Sequence, residues 1–176
     1  MKRIAIFLGA TALMLAVVPS TFAASKPTQS IVEIATANGS FKTLLAAVGC
    51  ADPAVGTALT GKGPLTVFAP TDAAFTKLGL TPENVCTALP KATLTKVLLY
   101  HVVPGNLPAA KVLPASWDRL TTLKTALGQP LWALHNGTLF TASGGVSHIM
   151  VSAKLFNIAA TNGIIHVVDA VLMPRG

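Results

Sequence analysis

Between residues 30 and 103 apolar positions recur at intervals of three and four, the period of a helix. Beyond Leu120 they recur at intervals of two, the period of a strand. Ser30-Ile31-Val32-Glu33 reads as a capping box, in which the hydroxyl and the carboxylate each satisfy the other residue's backbone N–H. Ser40, after Asn38-Gly39, is expected to cap a second helix whose apolar face is Phe41, Leu44, Leu45 and Val48. After Gly61-Lys62-Gly63-Pro64, residues 65–70 read as a short apolar strand handing over to a helix capped by Thr71 or Asp72. Thr81-Pro82-Glu83 carries a further start signal: a cap, a proline at the first helical position and an acid in the first turn. Residues 93–103 are again helical, with Leu94, Val97, Leu98 and His101 on one face, so His101 is expected to point into the core. Pro104-Gly105 ends that helix.

In the second half Trp132 and Leu134 lead into Asn136-Gly137, a two-residue hairpin signal, and Leu139 and Thr141 follow on the returning strand. Residues 164–172 form the last expected strand. It carries Ile164, His166, Val168, Ala170 and Leu172 on one face and Ile165, Val167, Asp169 and Val171 on the other. Apolar residues on both faces mark a central strand covered on each side. With helices first, strands after and no internal repeat, the chain reads as one α+β domain over residues 30–174.

The start of the chain follows a different logic. Lys2 and Arg3 precede an apolar stretch over residues 4–18, and Thr21-Phe22-Ala23 offers the small residues of a cleavage site. Residues 1–23 are therefore expected to be a cleaved export signal, with cleavage after Ala24 as the alternative, and residues 24–29 a short N-terminal segment. The stretch falls short of the roughly 20 residues a bilayer-spanning helix needs, which sets a retained anchor behind export. The expected location is secreted, extracellular or periplasmic.

Composition then narrows the function. The chain is 52% hydrophobic and only 11% charged, with Lys+Arg 13 against Asp+Glu 6. Loss of Lys2 and Arg3 lowers the formal net charge of +7 by two. The remaining basic residues are scattered singly, with no run and little aromatic interleaving, so no phosphate-tracking surface is expected and no nucleic acid is among the partners. Cys50 and Cys86 are the two cysteines. In an oxidising compartment they are expected to pair as a disulfide, the alternatives being two free buried thiols or metal ligation.

Catalytic patterns are absent from the sequence: no nucleophile elbow, no phosphate loop, no glycine-rich dinucleotide turn and no zinc-protease helix. The histidines, His101, His135, His148 and His166, are spaced too widely for a local metal pair. His101 and His166 are expected to be buried and hydrogen-bonded, and His135 to face solvent beside the hairpin. Neither an enzyme nor a cofactor is expected. Asn38-Gly39-Ser40 and Asn136-Gly137-Thr138 match the glycosylation pattern and are read as a cap and a turn.

Three stretches carry a resemblance. Residues 66–75 (TVFAPTDAAF), residues 99–105 (LYHVVPG) and residues 162–174 (NGIIHVVDAVLMP) resemble, in order and spacing, the signature segments of the fasciclin domain family. The match implies the family's wedge-like fold, N-terminal helices packed on a β-sandwich-like sheet. It further implies adhesion or surface contact with cell-surface or extracellular matrix components, with Tyr100 and His101 as binding residues. Thr71, Asp72, His166 and Asp169 are implied as structural motif residues. Asn157-Ile158 stands where the family often has Asp-Ile, a departure from the pattern tied to integrin recognition, and Asp72 stands where many members have Asn. The alternative function is carriage of a hydrophobic small molecule such as a carotenoid.

Overall fold

The computed structural model describes residues 26–151, 153 and 155–176. The expected export signal lies outside the described residues. Three helices lead: α1 (Ile31–Asn38), α2 (Lys42–Cys50) and α3 (Pro53–Thr60). Strand β1 (Leu65–Pro70) follows, then α4 (Asp72–Thr76), α5 (Val85–Ala88) and α6 (Lys91–Tyr100). Next come β2 (Val102–Pro104), α7 (Ala109–Val112), β3 (Thr121–Lys124), β4 (Pro130–Ala133), β5 (Thr138–Thr141), β6 (Val146–His148), β7 (Ile158–Ala160) and β8 (Gly163–Val168). Among the described residues no helix is long and apolar enough to cross a membrane.

The strands form two open sheets of four, in the orders β2-β1-β8-β7 and β3-β4-β5-β6. An isolated bridge between Ile149 and Val168 joins them. In the first sheet β1 and β8 run parallel, from Leu65 opposite Gly163 to Pro70 opposite Val168. The strand from the first half of the sequence therefore sits beside the last one, so helices and sheet do not divide cleanly between the halves. Side-chain alternation along these central strands makes two cores. Val67, Ala69, Ile165 and Val167 face α1–α3 and α6, while Phe68 and Val168 face the second sheet together with Tyr100, Leu131 and Leu139. The order is helices, sheet, sheet, the wedge expected from the family resemblance.

The close approach at the start of β1 and β8 depends on glycine. A Cβ on Gly163 would run into the Leu65 carbonyl, and Gly63, at φ 65°, would meet the Asn162 backbone if it carried one. Asn162, which the hydrophobic pattern does not single out, gathers three elements there. Its Oδ1 accepts the Ile31 N–H at 3.0 Å, and its Nδ2 donates to the carbonyls of Leu59 (2.8 Å) and Gly61 (3.2 Å).

Several local expectations are met and several are corrected. The Ser30–Glu33 capping box is present. Ser40 does not cap α2: the N-cap position is Phe41, without a side-chain bond. Asp72 serves instead, its Oδ1 accepting the Thr43 N–H at 2.8 Å and its Oδ2 the Lys42 N–H at 3.3 Å. Thr71 caps α4 through the Ala74 N–H. Thr81-Pro82-Glu83 forms a turn rather than a helix start, because the Asn84 side chain accepts the Thr81 N–H and postpones α5 to Val85. The helix expected to reach residue 103 stops at Tyr100. Val102 and Val103 pair with β1 instead, since the ladder offers their backbone groups partners while the proline ahead blocks further helix.

The β4–β5 hairpin forms with a three-residue loop. Leu134 N–H bonds the Thr138 carbonyl and Gly137 N–H bonds the Leu134 carbonyl, with Gly137 at φ 86°. That register sets Leu131 and Ala133, rather than Trp132 and Leu134, opposite Thr141 and Leu139, and it buries the first pair while leaving Trp132 half-buried. The final strand ends at Val168 rather than 172.

Cys50 and Cys86 are bonded to each other, with Cα atoms 5.6 Å apart, tying the end of α2 to α5. Closing a 36-residue interval contributes roughly 3–4 kcal/mol by restricting the unfolded chain.

Candidate functional site

The motif residues converge on the seams between layers. Tyr100, the last residue of α6, is fully buried against the second sheet. Its hydroxyl donates to the Pro130 carbonyl at 2.7 Å and accepts the Ala142 N–H at 2.8 Å, joining α6 to β4 and to the end of β5. Burial pushes the phenol pKa up, and the Ala142 N–H offsets part of that rise by favouring the phenolate.

His101 caps the same helix. Its Nδ1 lies 2.8 Å from the Val97 carbonyl and its Nε2 accepts the Leu172 N–H at 2.9 Å. Because an amide N–H donates to Nε2, the proton of this neutral imidazole resides on Nδ1 and donates to Val97. Burial lowers the His101 pKa from 6.5 to about 4, against a smaller opposing effect of the Val97 carbonyl.

His166, in the middle of β8, is also fully buried. Its Nε2 donates to the Leu107 carbonyl at 2.9 Å, its Nδ1 accepts the Asn157 N–H at 3.3 Å, and its ring stacks on Phe68 with centroids 5.6 Å apart. Burial lowers this pKa too, with the Leu107 bond acting the other way. Asn157 adopts φ 55°, a left-handed conformation Asn tolerates, and its Oδ1 accepts the Ala109 N–H at 2.6 Å. Asn157 therefore joins the α7 start to His166. Both ring nitrogens of His101 and His166 are engaged within the fold, so neither ring has a lone pair left for a metal or a proton in transit.

Asp169 lies just past β8 and clips the second sheet to it. Its Oδ1 accepts the His148 N–H at 2.7 Å and the Ser147 hydroxyl at 3.2 Å, and its Oδ2 lies 3.4 Å from His148 Nδ1. Partial burial raises the carboxyl pKa, but the His148 backbone bond, the His148 ring, the Ser147 hydroxyl and Lys77 together outweigh it and hold the group below the usual carboxylate range. The Lys77 ammonium donates to the Asp169 carbonyl at 2.8 Å. Ser147, His148 and Asp169 do not make a nucleophile–base pair, because the hydroxyl bonds the carboxylate and a carbonyl rather than the imidazole. Among the described residues no group of three or more His, Cys, Asp or Glu side chains could hold a metal ion.

The structure thus places Tyr100, His101 and His166 in the interior, Asp72 and Asp169 at tertiary clips, and Cys50–Cys86 across two helices. It does not bring them together as one reactive centre. What the surface offers lies elsewhere. An apolar groove of about 330 Å³ runs between α4, α5 and α6, lined by Phe75, Leu80, Leu89 and Val171, with Leu78 and Met173 exposed on it. A second, shallower hollow of the same size lies beside α7, and His135 lines it. His135 is half-buried rather than solvated: its Nδ1 bonds the Pro114 carbonyl at 2.7 Å and its ring packs against Trp117 at 4.5 Å. The hydrophobic pattern gives no sign of Trp117, which belongs to no helix or strand. Only its rarity, as one of two tryptophans, could have drawn notice.

Comparisons with known proteins agree with this fold. The sequence pattern of the family described as the Fasciclin domain matches residues 39–174. Protein sll1483 of Synechocystis sp. is 38% identical over 153 residues, 86% of this chain and 77% of that protein. Immunogenic protein MPB70 of Mycobacterium bovis is 32% identical over 167 residues, covering 87% of this chain and 78% of the relative. A solved FAS1 domain pair from the insect cell adhesion molecule Fasciclin I superposes with a TM-score of 0.57 at 17% identity, a likeness of fold. The match covers 77% of this chain and 46% of that structure.

Proposed function

The chain belongs to the fasciclin domain family, and from that premise we propose that it is an exported, non-enzymatic module that binds cell-surface or matrix components by surface contact. The observation that carries this reading is the internal use of the motif's polar atoms. The Tyr100 hydroxyl and both nitrogens of His101 are spent on holding α6, the second sheet and the C-terminal segment in register. Tyr100 and His101 then serve binding from beneath, by fixing the surface around Ala142 and Leu172 rather than by touching a partner. The charged start and apolar stretch within residues 1–23 support the export part of this reading, as does the disulfide, which an oxidising compartment sustains. The solved relative in an insect cell adhesion molecule gives the contact reading its precedent.

The test is saturable retention of the exported protein on intact cells, isolated envelopes and matrix polymers. No retention on any of them overturns the reading.

A second reading, carriage of a small apolar molecule, is favoured by the groove of about 330 Å³ at Leu78 and Met173. That volume lies at the low end for ligand sites, so a long polyene such as a carotenoid would leave much of its length in water. A colourless, ligand-free sample from the native host counts against it.

A further inference from the structure

Trp117 is 73% exposed, more than any other large hydrophobic side chain among the described residues. Residues 115–120 are all exposed, yet the indole is held: its ring meets the His135 imidazole at 4.5 Å and 51°, and that imidazole is itself anchored by Nδ1 to the Pro114 carbonyl at 2.7 Å. The anchor leaves Nε2 without a hydrogen bond among the described residues. Ser116 donates to the Asp118 Oδ1, which holds the carboxyl pKa below its usual range and leaves the second carboxylate oxygen to solvent. Beside this cluster lies the hollow of about 330 Å³, floored by Ala109, Ala110 and Leu113 and walled by His135.

The composition selects the occupant. A protein partner of ordinary size covers about 800 Å² per side around a core depleted in charge. On its exposed segment Trp117 is flanked by Ser116, Asp118 and Arg119, with Leu120 exposed three residues on, so the patch offers one aromatic face with polar neighbours rather than a broad apolar core. A pyranose has the complementary build, with C–H groups across its face and hydroxyls around its edge. We propose that Trp117 and His135 form a saccharide-binding site, with the indole stacked on a sugar face and the His135 Nε2 and Asp118 carboxylate accepting hydroxyl hydrogen bonds. The site rests on the contact-module reading and deepens it by making the partner a glycan.

The probes are insoluble chitin, cellulose and purified peptidoglycan sacculi, incubated with the exported chain, followed by calorimetry with soluble oligosaccharides of any polymer that retains it. Saturable retention on at least one polymer is expected. Trp117→Ala should weaken it about tenfold and Trp117→Phe less, both with unchanged melting. Absence of retention on all three, or equal retention of wild type and Trp117→Ala, overturns the proposal. Periodate and protease treatment of intact cells separate this site from the broader reading. Adhesion abolished by periodate supports the glycan. Adhesion abolished only by protease overturns the glycan and leaves the contact module standing. Retention on neither cells, envelopes nor any polymer removes both.

Discussion

Leu172 donates its backbone N–H to Nε2 of His101 at 2.9 Å, across 71 residues of sequence. The bond fixes the imidazole tautomer and thereby aligns Nδ1–H with Val97, so one ring ends α6 and pins the segment after β8 at the same time. A residue at a helix end can do this only in the neutral form, because a protonated ring would present a second N–H to the Leu172 amide.

That requirement sets a pH dependence. The folded His101 pKa is about 4 against 6.5 for the free side chain, so between those values the unfolded chain binds more protons than the folded one. Stability is therefore complete above the unfolded value and declines as pH falls toward the folded one, by about 1 kcal/mol per pH unit from His101 alone. His166, also depressed by burial, adds a loss of the same sign. Urea unfolding at stepped pH, compared with His101→Gln, measures it. An unchanged slope in the variant would show that His101 does not titrate abnormally.

Tyr100→Phe removes one oxygen from a buried seam and leaves the Pro130 carbonyl and the Ala142 N–H without their partner. The expected cost is about 2 kcal/mol, the penalty of unsatisfied buried groups. The readout is the midpoint of denaturant unfolding, accompanied by faster amide exchange at Ala142. A neutral substitution would mean that water replaces the hydroxyl.

Asp72 lies in the first turn of α4 but caps α2, 29 and 30 residues earlier in the chain. Asp72→Ala is expected to cost about 1 kcal/mol and Asp72→Asn less, since the amide oxygen still accepts one N–H. Thermal melts of both variants check the order. Ser40→Ala, at the position where the sequence suggests the cap, should leave stability nearly unchanged because its side chain makes no cap bond.

The contrast between Ser40 and Asp72 shows where the sequence is legible. Features written within a few residues are read correctly: the Ser30–Glu33 box, the two-faced apolar run of β8, the burial of His101 on the α6 stripe. Features decided by a distant partner are not. The α2 cap comes from another helix, the early end of α6 comes from pairing with β1, and the face of Trp132 comes from one extra residue in the β4–β5 loop, which reverses every side chain of a strand. The His135–Trp117 contact joins a hairpin loop to a segment with no periodicity, so no local pattern contains it.

The disulfide offers the last test. Cys50 ends α2 and Cys86 lies in α5, a helix of four residues too short to persist without tertiary support. Reduction, or the double change Cys50→Ser with Cys86→Ser, should lower the unfolding free energy by about 3 kcal/mol through the regained freedom of the unfolded chain. Exchange protection should fall first in α5 and at the end of α2, which face the Leu78–Met173 groove through Ala47, Ala88 and Leu89. Denaturant unfolding with and without reductant gives the magnitude, and hydrogen exchange gives the location. Loss spread evenly over the fold would place the effect of the bridge wholly in the unfolded state, whereas loss confined to these helices assigns it a part in shaping the groove.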